Sequence, residues 1–92
     1  MINFRKPLLV GDSLKRRKLR TVRRIKAGKL CPGVYLITNP TNPVNLFDVI
    51  EEKVLLFPYY AERELLIYGI AGSSDEANEL LLKLTEEKYA DS

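Results

Sequence analysis

The apolar residues near the C-terminus change from a continuous run to a helical repeat. Residues 65–70 are apolar without alternation and are followed by Gly72, which predicts a strand buried on both faces and a turn. Apolar residues then recur at helical spacing over residues 77–84. Ser73 precedes Glu76 by three residues, the spacing of a capping box. In it the Ser73 hydroxyl caps a free backbone amide and the Glu76 side chain bonds back to the Ser73 amide. The pattern predicts a strand, a glycine turn and an amphipathic helix.

Two shorter patterns occupy the N-terminal part of the chain. Residues 8–10 are apolar and predict either a strand or an extended arm. Residues 14–27 contain neither glycine nor proline and are followed by a glycine, which predicts a helix. Its apolar stripe is narrow, since only Leu19, Val22 and Ile25 fall at intervals of three. The remaining helix surface is almost entirely Lys and Arg.

The middle of the chain predicts a strand, a loop and a helix. Residues 34–38 have high strand propensity, and the sequence Asn-Pro-Thr-Asn-Pro at residues 39–43 is a strong loop signal. Asn42 is a suitable N-cap and Pro43 a suitable first helical residue. Because Pro58 interrupts the following apolar residues, we expect one broken helix or two short ones.

These elements predict an α/β fold. A strand, a helix and a second strand in this order favour two parallel strands joined by a right-handed crossover. The expected fold is a small (β)αβαβα domain with a short parallel sheet flanked by helices. Two strands make a poor sheet, so residues 8–10 or dimerisation should extend it. The 92 residues are interpreted as one domain, with a basic arm and helix over residues 1–29 and a βαβα core over residues 30–92.

Charge is segregated along the chain. Residues 1–29 hold eleven basic residues and one acidic residue, a balance of +10, and residues 30–47 are uncharged. Residues 48–92 hold four basic and eleven acidic residues, a balance of −7. The net charge of +3 therefore conceals a basic N-terminal part and an acidic C-terminal part.

The side chains available for chemistry are few. The chain has no histidine, which removes the commonest general base and metal ligand. Its one cysteine, Cys31, excludes an intrachain disulfide and is interpreted as a turn or core residue. We therefore predict no catalytic residue, no cofactor and no metal site, and a protein that is not an enzyme. Without a signal pattern or a long apolar run, it is expected to be cytoplasmic with no membrane partner.

The glycine turn over residues 69–74 invites comparison with phosphate-binding turns, because the start of the following helix favours anions. No lysine follows Gly72, and Asp75 and Glu76 would repel a phosphate. An ordinary strand-to-helix turn is the favoured interpretation. An enzyme or small-ligand carrier that uses this turn is a third hypothesis for the function.

The sharpest functional signal is the basic segment over residues 15–26, whose side chains suit phosphate or carboxylate ligands. The candidate anion-binding or partner-binding residues are Lys15, Arg16, Arg17, Arg20, Arg23 and Arg24. Two interpretations are open. The segment faces an external anion, or it pairs with the glutamates of the last helix, in the same chain or in a partner.

Part of the sequence resembles a known group of proteins. The shared features are the Lys-Pro-x-Leu-Val-Gly opening at residues 6–11, residues 34–50, the pair Tyr59-Tyr60, and residues 66–77. They resemble small uncharacterised bacterial proteins of about 100 residues with no assigned activity. The resemblance covers most of the chain, implies a cytoplasmic α/β fold and transfers no site residue. The basic segment departs from the alternating basic and apolar residues of that group, which leaves a strand there as an alternative.

Composition and charge together favour a non-enzymatic cytoplasmic interaction domain. We expect it to self-associate as a homodimer, or to bind an acidic protein partner, through its charge-segregated surfaces. The alternative is non-specific nucleic-acid binding through residues 15–26, which should weaken steeply with salt.

Overall fold

The computed structural model describes residues 2–29, 33–40, 44–56 and 63–90. Within these residues, the chain forms one four-stranded sheet with a helix on each face. The strands are β1 (Ile2–Val10), β2 (Tyr35–Thr38), β3 (Asp48–Glu51) and β4 (Leu65–Ala71). The α-helices are α1 (Lys18–Lys26) and α2 (Ser74–Ala90), and 3-10 helices span Asp12–Arg17 and Glu52–Leu56.

The sheet is mixed, with the strand order β1-β4-β2-β3. β1 runs parallel to β4, whereas β2 runs antiparallel to both β3 and β4, with Leu36 opposite Ile70. The α/β class predicted from the sequence is confirmed. The parallel relation predicted between the strands now called β2 and β4 is wrong, because no helical crossover joins them within the described residues.

The helix predicted after Pro43 is also wrong. In its place the chain forms β3 and then a short 3-10 helix, Glu52–Leu56. Along β3 the half-buried side chains of Asp48 and Ile50 alternate with exposed Val49 and Glu51, so the period is that of a strand. Pairing with β2 selects this conformation for two β-branched residues that also fitted a helical pattern. The predicted cap and break at Asn42, Pro43 and Pro58 lie outside the described residues.

β1 is longer than the apolar run at residues 8–10 predicted. It pairs with β4 in two stretches, Ile2 to Phe4 and Leu9 to Val10, with an irregular register between them. Pro7 lies in that interval and has no amide hydrogen to donate to the ladder. Residues 8–10 are therefore part of a strand that supplies one edge of the sheet, which decides between the two alternatives.

The two faces of the sheet carry separate cores. Buried residues of the core on the α1 face include Leu14, Ile25, Leu36, Ile67 and Ile70. The core on the α2 face is built from Ile37, Ala71, Ala77, Leu80 and Leu84. Because each helix contributes to only one of these cores, α1 and α2 cover opposite faces of the sheet.

The basic segment is helical, as predicted, although its first part is a 3-10 helix. Its buried side differs from the prediction: Ile25 is 1% exposed and Thr21 is buried, whereas Leu19 is 67% exposed. Residues 19 and 25 are six positions apart, which places their side chains about 120° apart around an α-helix. The buried side centres on Thr21 and Ile25, which are four positions apart, and leaves Leu19 exposed.

Candidate functional site

Basic side chains of α1 and the preceding 3-10 helix form an open surface that we call the cationic face. It consists of Lys15, Arg16, Lys18, Arg20 and Arg23, all of them exposed. With Leu19 they line one shallow concavity of about 550 Å³. The helix brings these residues together because steps of three and four positions return to the same side of the helix.

The structure separates the six predicted site residues into two groups. Lys15, Arg16, Arg20 and Arg23 line the concavity, whereas Arg17 and Arg24 do not. Arg17 is exposed elsewhere on the 3-10 helix and Arg24 is half-buried. The sequence-based selection omitted Lys18, although it lies in the same segment and lines the same concavity.

The cations of this face have little local counter-charge. Lys15 forms an ion pair with Asp12 at 2.7 Å, and both side chains are well exposed. The hydrogen bond to Lys15 holds the pKa of Asp12 below its ordinary value, and the same bond raises the pKa of Lys15. In the part of the chain that the structure describes, Arg16 and Arg20 form no ion pair, and neither does Arg23.

The acidic helix does not neutralise the cationic face. α2 lies on the opposite side of the sheet, and the ion pair that it forms in the described residues joins Glu87 to Arg5 of β1 at 3.0 Å. Pairing of the basic segment with the last helix of the same chain, one of the two interpretations of the charge pattern, is therefore absent from the described structure. Like charges four positions apart, Arg16 with Arg20 and Arg20 with Arg24, each cost about 0.2–0.5 kcal/mol.

An apolar groove borders the cationic face where α1 passes beside β1. Its volume is about 510 Å³. Its apolar lining comprises Ile2, Phe4, Pro7, Leu8, Leu19 and Val22. Lys18 and Lys26 also line it, and the Lys26 ammonium lies 5.5 Å from the centre of the Phe4 ring. Leu19 lines both the groove and the concavity of the cationic face, so apolar and basic groups meet on one surface. Sequence reasoning missed the groove because most of its lining comes from β1, which is distant from α1 in the pattern of the sequence.

The glycine turn before α2 is occupied by a carboxylate of the protein itself. Oε1 of Glu76 accepts hydrogen bonds from the Gly72 amide and from Ser13 Oγ, both at 2.8 Å, and Oε2 accepts one from the Ser13 amide at 3.2 Å. The Gly72 amide is the main cause that holds the pKa of Glu76 below its ordinary value, with both Ser13 donors assisting against the opposing effect of partial burial. The Gly72 amide, which could donate a hydrogen bond to a phosphate at this turn, already donates to Glu76.

One of the two hydrogen bonds predicted for the capping box is therefore present. The Ser73 hydroxyl accepts a hydrogen bond from the Glu76 amide at 3.2 Å, as the spacing predicted. The Glu76 carboxylate bonds to Gly72 and to Ser13 of a distant segment, where the spacing predicted the Ser73 amide.

A second cluster of aromatic and charged groups lies between β1 and α2. The Arg5 guanidinium lies 5.4 Å from the centre of the Tyr68 ring and pairs with Glu87. Tyr68 packs edge-on against Phe47 at 5.0 Å, and Lys88 lies 5.6 Å from the Phe47 ring. Each cation here already contacts a ring or an acid, so the cluster fastens α2 to the sheet.

Two further observations bear on the site. Among the described residues, no three His, Cys, Asp or Glu side chains are grouped in a way that could hold a metal ion. No helix in the same residues has the length and apolar character needed to span a membrane.

Comparison of the chain with models of protein families, with curated proteins and with solved structures finds no match.

Proposed function

We propose that this protein is a non-enzymatic cytoplasmic interaction domain that binds an acidic protein partner through the cationic face. One observation carries the proposal: Arg16, Arg20 and Arg23 are exposed, line one concavity and have no ion pair among the described residues. Their mutual repulsion is a cost that an acidic ligand relieves on binding. Arginine suits this role because its planar guanidinium can donate two parallel hydrogen bonds to one carboxylate.

The surroundings of these arginines favour a protein as the partner. Leu19 is exposed in the middle of the cationic face and continues into the apolar groove beside β1. Protein interfaces combine an apolar centre with a polar rim and are enriched in arginine. A nucleic-acid backbone offers phosphates and sugars and no apolar group to match Leu19. The cationic face also has no aromatic side chain on which a base could stack.

Non-specific nucleic-acid binding is the second candidate. Five exposed cations that line one concavity favour it, because each can neutralise a phosphate. This candidate predicts affinity without sequence preference and a steep fall in affinity with salt.

Fluorescence anisotropy separates the two candidates. The probes are a labelled helical peptide of glutamate and leucine, a random DNA duplex and an RNA hairpin, each at about 50 and 200 mM salt. The variant R20E/R23E alters the cationic face, and K53E/K88E is the matched control with the same change in net charge. We expect the peptide to bind the wild type and the control equally and R20E/R23E at least about tenfold more weakly.

Two outcomes of this experiment would contradict the proposal. Binding of DNA and RNA at the higher salt, without binding of the peptide, would replace the proposal with nucleic-acid recognition. Equal peptide binding by R20E/R23E and the control would contradict any role of the cationic face. Circular dichroism of both variants verifies that they are folded.

A further inference from the structure

The outer side of α2 carries an exposed acidic surface, which we call the acidic face. It consists of Asp75, Glu79, Leu82 and Glu86, at steps of four, three and four residues, and all of these side chains are exposed. Leu82 is 61% exposed. In the described part of the chain, Asp75, Glu79 and Glu86 form no ion pair. Exposed Lys83 lies beside this surface, four residues after Glu79, so its charge is predominantly but not entirely negative. Like the cationic face, it surrounds an uncovered leucine with charges mainly of one sign.

The two faces match in spacing and oppose in charge. In the basic segment, Leu19 lies three residues after Arg16 of the 3-10 helix and four before Arg23 of α1. On α2, Leu82 lies three residues after Glu79 and four before Glu86. Each pattern extends for about 10–12 Å along its helix. Each exposed leucine is flanked by charges about one turn away on both sides.

From this match we propose that the acidic partner of the cationic face is the acidic face of a second copy of the same chain. The inference rests on the proposed function and names its partner. When α1 of one copy lies alongside α2 of another, Leu19 meets Leu82 and the flanking arginines meet the flanking glutamates. The contact covers both exposed leucines and relieves the like-charge repulsion within each helix.

The position of the helices decides the form of this assembly. α1 and α2 cover opposite faces of the sheet, so one two-fold interface cannot contain both faces of each copy. The contact is head to tail, and an open row of copies has one cationic and one acidic face uncovered at its ends. Such contacts form rings or open chains. The average mass of the assemblies should therefore increase with protein concentration and fall as added salt screens the charges.

Charge exchange tests the proposal with the full chain. R16E/R23E places acidic residues before and after Leu19, and E79R/E86R places basic residues before and after Leu82. We expect sedimentation velocity at about 50 mM salt to show association of the wild type, dissociation at about 500 mM salt, and no association of either variant alone. An equimolar mixture of the two variants should associate again, which misfolded proteins would not do. K53E/K88E should behave like the wild type, because Lys53 and Lys88 lie outside both faces.

A monomeric wild type at all concentrations, or a mixture of variants that stays monomeric, would overturn the head-to-tail contact. Association that both variants retain would place self-association on another surface and overturn it as well. The proposed function is judged separately by the glutamate-leucine peptide. If that peptide binds while the chain stays monomeric, the cationic face recognises a different acidic protein.

Discussion

Ser13 and Glu76 join the segments that begin the two helices, although they are 63 residues apart in sequence. The Glu76 carboxylate accepts hydrogen bonds from the hydroxyl of Ser13 at 2.8 Å and from its amide at 3.2 Å. The Gly72 amide supplies another at 2.8 Å. These segments follow the parallel strands β1 and β4, so one side chain connects the helices on the two faces of the sheet.

Removal of this carboxylate should destabilise the protein. Glu76→Ala deletes three hydrogen bonds to an ionised acceptor, and we expect a loss of about 1–3 kcal/mol in the free energy of unfolding. Urea denaturation measures it. Glu79→Ala on the exposed side of the same helix is the control and should change stability by less than about 0.5 kcal/mol. Equal effects of the two variants would show that the contact with Ser13 contributes nothing.

The same contact predicts a pH dependence. The Gly72 amide, and next the Ser13 donors, hold the pKa of Glu76 below its ordinary value of 4.5 in the folded protein. Its stabilisation is complete above that value and is lost as the pH falls through the lowered folded pKa. The difference in unfolding free energy between wild type and Glu76→Gln should therefore shrink below pH 4.5. A difference that stays constant down to the acid transition would contradict the lowered pKa.

We predict that a side chain at Gly11 destabilises the protein only because it would displace Glu76. A Cβ at Gly11 would overlap the Glu76 carboxylate, so Gly11→Ala must displace it from Ser13. The single variant should lose stability, whereas the same change in a Glu76→Ala background should cost much less. Urea denaturation of the four proteins completes a double-mutant cycle, and we expect a coupling of about 0.5–3 kcal/mol. Strictly additive changes in the free energy of unfolding would mean that the protein accommodates the Cβ at residue 11 without moving the Glu76 carboxylate.

Two apolar residues of α1 should respond differently to truncation. Ile25 is 1% exposed, so Ile25→Ala should cost about 2–5 kcal/mol of unfolding free energy. Leu19 is 67% exposed, so Leu19→Ala should stay within about 0.5 kcal/mol. Thermal denaturation of both variants measures the difference. Similar losses in melting temperature would place Leu19 in the core, contrary to the structure.

Reversal of a charge in α1 should stabilise the fold. Arg20→Glu replaces two like-charge pairs, with Arg16 and Arg24, by attractive ones and places a carboxylate in the first turn of α1. We expect a gain of about 0.5–1 kcal/mol at low salt that shrinks as salt is added. Arg20→Lys, which keeps the charge, should leave stability unchanged. A loss of stability in Arg20→Glu would indicate that Arg20 contributes to the fold.

Local signals were sufficient for the last strand and helix. The apolar run of β4, the glycine turn and the Ser73 cap lie close together in the chain, and their conformations depend on neighbouring residues. The exposure of the basic side chains of α1 follows in the same way, because charged groups without partners are rarely buried. Local signals failed between residues 44 and 56, where Val49 and Ile50 fit both a helical and a strand pattern. The pairing of β3 with β2 selected the strand.

The amino-acid sequence by itself determined the α/β class, the helical basic segment and the separation of charge along the chain, because these follow from periodicity and composition. The tertiary structure alone decided the direction of β2 relative to β4, the pairing of β1 with β4 and the contact of Glu76 with Ser13. Each of these joins segments that are distant in sequence. It also placed α1 and α2 on opposite faces of the sheet. That placement keeps the basic and acidic helices of one chain apart and leaves both of their charged faces exposed.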